Sequence, residues 1–195
     1  MSALHDIYFS ADVETDGPIP GRFSMLSFGL AVAGTFDGER FARCDPTAQT
    51  FYRELKPISS DFDAETAAVS GLDRARLVSE GSEPVVAMTD AARWVADVSG
   101  EGSPVLIAFP LSFDWSWLWW YFTAFGQEGS PFGFSNCYDI KTAYAVRAGR
   151  PIVLSGKSKI PDRLRSSRPH EHHALADAIE QADIFANLME WDGGS

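Results

Sequence analysis

The chain has 195 residues, 45% hydrophobic and 22% charged, a globular balance that excludes a disordered, collagenous or coiled-coil protein and leaves length for about one domain. Two cysteines, Cys44 and Cys137, exclude a disulfide-stapled scaffold and lack zinc-type CxxC spacing. The start MSALHDIYFSADVETDG shows no signal peptide, so a cytoplasmic protein is expected. The net charge of −11 argues against nucleic acid, yet eight of the sixteen basic residues fall between Lys141 and Arg168 against the single acid Asp162, a local +7.

In chain order, residues 7–13 read as a strand and 23–34 as a second, paired across the GPIPG loop. Residues 50–55 alternate as a third, ended by Lys56-Pro57. Short helical pieces are expected at 64–70 and 74–79, then a helix over 83–98 with Pro84 in its first turn. A short buried strand at 105–109 precedes an aromatic helix at 113–125. Residues 140–147 are helical, 151–168 loop-like, and a last helix runs over 173–190. One domain over 1–191 is predicted, with a frayed tail at 192–195. The stretch 104–126 holds one charge in 23 residues, long enough for a membrane span. Pro110 and Asp114 interrupt it and no Lys or Arg flanks it closely, so a strand, a turn and a core helix are expected, and no membrane partner.

Three groups of residues carry chemistry. Asp12 and Glu14 are i and i+2 on the first strand and share a face, where two carboxylates repel and a divalent cation is the usual remedy. A solvated strand end is the plainer reading. Asp114 stands at the mouth of the aromatic helix, where either the helix macrodipole or a metal would account for it. Before the last helix come His170, His172 and His173, with Asp177 behind them. His173 and Asp177 are i and i+4, on one face if both are helical; His172 lies roughly 140° round the axis from Asp177 and converges only from a preceding loop. The histidines alone also suit a surface cluster or a weak transition-metal site.

DVET (residues 12–15), SFD (112–114) and HHALADA (172–178), in this order and at these separations, resemble the DEDDh 3′–5′ exonucleases, a group that includes proofreading exonucleases, oligoribonuclease and RNase T. The resemblance spans nearly the whole chain. It implies an α/β, ribonuclease H-like fold: a mixed β-sheet flanked by helices. It implies that Asp12, Glu14, Asp114 and Asp177 bind two Mg²⁺ or Mn²⁺ ions, and that His172, five before Asp177, is the general base. Such a site clamps the attacking and leaving oxygens of a phosphodiester, with ions roughly 3.5–4 Å apart. The implied activity removes nucleoside 5′-monophosphates from the 3′ end of single-stranded RNA or DNA. Where many relatives have His-Asn before the FD aspartate, this chain has Phe109-Pro110.

The implied substrate contacts are Thr15, Asp16 and Gly17 near the terminal nucleotide and Phe113 beside Asp114, with Phe23 and Met25 as wedge candidates for the terminal base. Lys157 and Lys159 in the basic stretch would track a phosphate backbone, unless that stretch is only a solvated loop offsetting an acidic body. Trp115, Trp117, Trp119, Trp120 and Tyr121 either stack bases or pack a core. The other classes to weigh are a catalytically silent nucleic-acid-binding module of the same fold and a histidine-cluster metal protein. Stand-alone relatives commonly dimerise, which leaves a homodimer open here.

Overall fold

The computed structural model describes residues 5–193. Its centre is strand β1 (Asp6–Thr15), whose alternation sends Ile7, Phe9, Ala11 and Val13 into one core and Tyr8 into another. Asp12 and Glu14 follow the phase of Tyr8, at the carboxyl end of the strand. Antiparallel to β1 lies β2 (Met25–Phe36), in a register that sets Asp12 opposite Gly29. Two short strands pair with successive parts of β2: β3 (Phe41–Arg43) with Gly34 to Phe36, and β4 (Thr50–Glu54) with Ser27 to Ala31. On the other side of β1, β5 (Ser103–Ala108) and then β6 (Cys137–Asp139) are added in parallel, which gives the mixed order β3-β2-β1-β5-β6.

Helices cover both faces. Between β4 and β5 come α1 (Ala64–Val69), α2 (Arg74–Glu80) and α3 (Pro84–Ser99), the first two opened by the capping carboxylates Asp63 and Asp73. The core beneath α3 joins its Ala87, Met88, Ala91 and Val95 to Phe9, Phe28 and Leu30 of the sheet and to Trp117, Leu118, Tyr121 and Phe122 of α4 (Leu111–Phe125). The expected membrane-length stretch is therefore divided between β5 and α4, and among the described residues no helix is long and apolar enough to cross a membrane. Most of the aromatic stripe is packing. Trp117 and Tyr121 are fully buried, and Trp115 and Trp119 stack on each other at 5.7 Å while half-exposed.

The opposite face carries α6 (Ala174–Glu190), with α5 (Ile140–Arg147) beside it. Along α6, Ala174, Ala178, Ala182 and Ala186 recur every four residues and are all buried, so the helix axis comes close to the sheet. Gly29 completes this approach: a Cβ there would stand 2.5 Å from the Cα of Leu175, so no side chain fits without lifting the helix off β2. The first turn of α6 thereby comes down beside the carboxyl end of β1.

The short strands β3 and β6 were not expected from the sequence. Strand β2 begins at Met25 rather than 23, because the Ser24 N–H is taken by the Asp16 carboxylate at 2.5 Å. The 151–168 stretch is irregular but contains three single turns of 3₁₀ helix. Of the tail expected to fray, Asp192 and Gly193 are outside any helix or strand, and residues 194–195 lie outside the described residues.

Candidate metal centre and active site

The ligand oxygens of Asp12, Glu14 and Asp177 all lie within 4.8 Å of one another. Two come from one face of β1 and the third from the first turn of α6, where it is 1% exposed. Asp114, in the first turn of α4 and 6% exposed, reaches the same strand: its Oδ1 accepts from the Val13 N–H at 3.2 Å. Three elements distant in sequence thus converge at the carboxyl end of the central strand.

Burial makes this gathering costly. Loss of solvent, then the charges of Asp114, Glu14 and Asp177, push the Asp12 carboxyl well above its usual range. Burial, then Asp177, raises Glu14 to about 7. Burial is the main cause that raises Asp114 to about 7, against hydrogen bonds to its carboxylate that favour the charged form. Clustered hard oxygen donors that cannot all stay ionised unaided fit divalent metal ions. These residues can hold such ions.

Gln181, which the sequence reading did not single out, fixes this arrangement. It is 2% exposed; its Nε2 donates to Asp12 Oδ1 at 2.7 Å and its Oε1 accepts from the Phe109 N–H at 2.6 Å. One amide therefore ties β1, the end of β5 and α6 together. Its position four residues after Asp177, on the same helical face, was the available signal. Gln181→Leu keeps the volume and leaves both partners unsatisfied. It is expected to lower kcat by about 10–100-fold, as loss of a partner orienting a metal ligand does, and the Mn²⁺ concentration needed for half-maximal activity should rise in a metal titration.

The histidines separate into three roles. His173 is the N-cap of α6: it accepts from the Ala176 N–H and its ring stacks on Tyr52 at 4.7 Å, so it does not share the Asp177 face. His172 lies on the preceding loop in the left-handed region, φ 51°, exposed. Its ring meets that of His170 at 4.5 Å, and ligand atoms of His170, His172 and Asp177 lie within 4.8 Å of one another. His170 Nδ1 is 2.9 Å from Asp177 Oδ1, which also accepts from the Glu171 N–H at 3.1 Å.

The residues named for substrate contact divide. Phe113, 39% exposed, and half-buried Phe23 stay accessible, Lys159 is exposed and Lys157 half-buried. Gly17 lies beneath the Phe23 ring, so closely that a Cβ would fall 2.1 Å from it, and Thr15 donates through its hydroxyl to the Gly17 carbonyl at 3.0 Å. Asp16 and Met25 are not brought to an open surface. Asp16, with no exposure, accepts from Ser24 N–H and from Arg74 Nε at 2.9 Å, pinning the 17–23 loop to α2. Met25 is in the core, its N–H donating to the Tyr121 hydroxyl at 2.7 Å.

Carboxylates from the central strand and two helices thus meet on a mixed sheet of the ribonuclease H-like fold. The model of the 3′-5′ exoribonuclease Rv2179c-like domain matches residues 9–189, and the chain belongs to that family. It is 37% identical over 186 residues to the 3′-5′ DNA exonuclease Cap18 of Escherichia coli, covering 95% of this chain and 92% of that protein. Its fold is similar to the nuclease domain of 3′hExo, a DEDDh family member bound to rAMP (TM-score 0.64, 12% identity, 94% of this chain and 90% of that one). It is also similar to S. pombe Pop2p in its Mg²⁺- and Mn²⁺-bound form (TM-score 0.60, 21% identity, 96% and 85%). Other matching structures are longer, and the chain spans 64% of one and 62% of another. The protein is a 3′-5′ exonuclease.

Proposed function

We propose that residues 1–191 act as one exonuclease domain in the cytoplasm, hydrolysing single-stranded RNA or DNA from a free 3′ end, with Asp12, Glu14, Asp114 and Asp177 holding two Mg²⁺ or Mn²⁺ ions. The observation that carries this reading is the meeting of the Asp12, Glu14 and Asp177 oxygens within 4.8 Å, next to buried Asp114. When bound, the ions neutralise the carboxylates, favour ionisation of the attacking water and offset charge on the leaving oxygen.

His172 takes the water proton, a role that suits an imidazole near neutral pH. The bond from water oxygen to phosphorus forms as the bond from phosphorus to the 3′ oxygen breaks. The shortened strand leaves with a 3′-hydroxyl after protonation from solvent, and the product is a nucleoside 5′-monophosphate. Phe113, exposed beside Asp114, and Phe23 offer ring faces to the last bases, with the Thr15 to Gly17 backbone near the terminal sugar. Lys159 meets the phosphate backbone farther along the strand. A homodimer is compatible with this reading.

Matched 5′-labelled RNA and DNA oligonucleotides, incubated with Mg²⁺, Mn²⁺ or EDTA, test it. A ladder shortening from the 3′ end, absent in EDTA, supports the reading and identifies the preferred sugar; binding of both strands without cleavage would sink it. His172→Ala is expected to lose about 10²–10⁴-fold in rate. His173→Ala should keep its rate and lose about 1 kcal/mol of stability with its N-cap, read from denaturant unfolding. The cluster of His170, His172 and Asp177 also admits a transition-metal reading. That reading requires metal binding that survives Asp12→Ala and is lost in His170→Ala.

A further inference from the structure

Lys157 differs from the neighbouring cations of the basic stretch. Arg165 and Arg168 pair with Asp162 and Asp183, and their side chains are 49% and 42% exposed, against 26% for Lys157. The Lys157 ammonium lies 2.8 Å from Oε2 of Glu180, whose own side chain is 10% exposed. Glu180 sits three residues after Asp177 and beside Gln181, so the helix that supplies one site carboxylate and orients another also anchors this ammonium. The same Oε2 lies 3.1 Å from His170 Nδ1. Because His170 Nδ1 is also 2.9 Å from Asp177 Oδ1, the ammonium is joined to the carboxylate centre by a short chain of contacts through Glu180 and His170.

An anchor of this kind is poorly explained by stability. Buried ion pairs are often replaced by apolar residues at no loss, because desolvation offsets their attraction. A glutamate outside the four-carboxylate set, nearly buried and holding one ammonium beside that set, suits a need for fixed positive charge there.

We propose that Lys157 is a catalytic residue whose ammonium, positioned by Glu180, contacts a non-bridging oxygen of the phosphate being cleaved. This rests on the exonuclease reading of the carboxylate centre. Lys157 neither gives nor takes a proton. As the new phosphorus–oxygen bond forms and the bond to the 3′ oxygen breaks, charge redistributes over the non-bridging oxygens, and an ammonium already in place stabilises it without reorganisation. Glu180 is a positioning residue, acting through Lys157.

The test compares two substrates in Mn²⁺: a single-stranded oligonucleotide, and thymidine 5′-(p-nitrophenyl phosphate), which has one phosphodiester and no upstream backbone. Lys157→Met is expected to lower kcat about 10²-fold on both, with KM changing less than about threefold. Lys157→Arg should restore most of that loss, and Glu180→Gln should fall between wild type and Lys157→Met. The rise in melting temperature on adding Mn²⁺ should persist in Lys157→Met, showing that the metal site is intact. A loss confined to the oligonucleotide, or a raised KM at unchanged kcat, would make Lys157 a backbone grip and overturn the proposal. Equal losses in the Met and Arg variants with a lowered melting temperature would make it structural, and a vanished Mn²⁺ response would place the defect at the metals; each also overturns it. Wild-type protein inactive on both substrates with either metal would overturn the exonuclease reading itself.

Discussion

Asp12→Asn is expected to lower strand shortening by more than about a hundredfold and, at the same time, to raise the melting temperature of the metal-free protein. The first effect follows because loss of a group that merely orients a ligand costs about 10–100-fold, and Asp12 is itself proposed as a ligand. The second follows from the cluster: Asp12 meets the charges of Asp114, Glu14 and Asp177 in a buried setting, and a neutral amide relieves all three. The asparagine Oδ1 can still accept from Gln181 Nε2, so the tie between β1 and α6 remains. Thermal melts in EDTA and in Mn²⁺, run beside the oligonucleotide assay, check both parts. A variant that keeps its rate, or that melts several degrees lower without metal, would refute the argument.

The second large effect is a pH dependence that reverses when metal is present. Glu14 and Asp114 are each raised to about 7, and Asp12 is raised as well, whereas unfolded carboxylates titrate near 4. Between those pH values the native state holds protons that the unfolded chain has released, so stability falls as pH rises. The favourable contribution is complete below the unfolded pKa and is gone above about 7, on the order of 3 kcal/mol for Glu14 alone. The metal-free melting temperature should therefore drop between about pH 5 and pH 8. Divalent ions need the deprotonated carboxylates, so the stabilisation they give should be small near pH 5.5 and large near pH 8. Melts across this range, with EDTA or Mn²⁺, would expose a wrong sign at once.

The i, i+2 spacing of Asp12 and Glu14 puts two carboxylates on one face of a strand, but a solvated strand end is the plainer reading of that pair. The order and separation of DVET, SFD and HHALADA, through their family resemblance, suggest that Asp114 and Asp177 join them. The choice between His172 and His173 was not legible from spacing, since both lie at the helix boundary. The resemblance alone singles out His172; locally, His173 serves as the N-cap and His172 turns into the left-handed region. Strands β3 and β6 have three residues each, too few for an alternation to be read. β6 is concealed further because Asp139 at its end also caps α5, accepting from Thr142 N–H at 2.7 Å, and accepts from Leu111 N–H at 3.1 Å. Asp16 looked like a site residue because it follows DVET. Its burial against Arg74, 58 positions away, is a long-range fact that no local pattern carries.

Asp177, Glu180 and Gln181 all ride on α6, which meets the sheet through its alanines and Gly29 near the site and through Phe185, packed on Tyr8, Phe41 and Tyr138, two turns further on. Seating of that helix and integrity of the reaction centre are consequently a single variable. A lesion away from the carboxylates, such as Phe185→Ala in the core, would cost about 3–5 kcal/mol of stability and, by unseating the helix, metal affinity along with it. An ion held between Asp12 and Asp177, as proposed, would tie that helix to the strand and complete the seating that the small side chains begin.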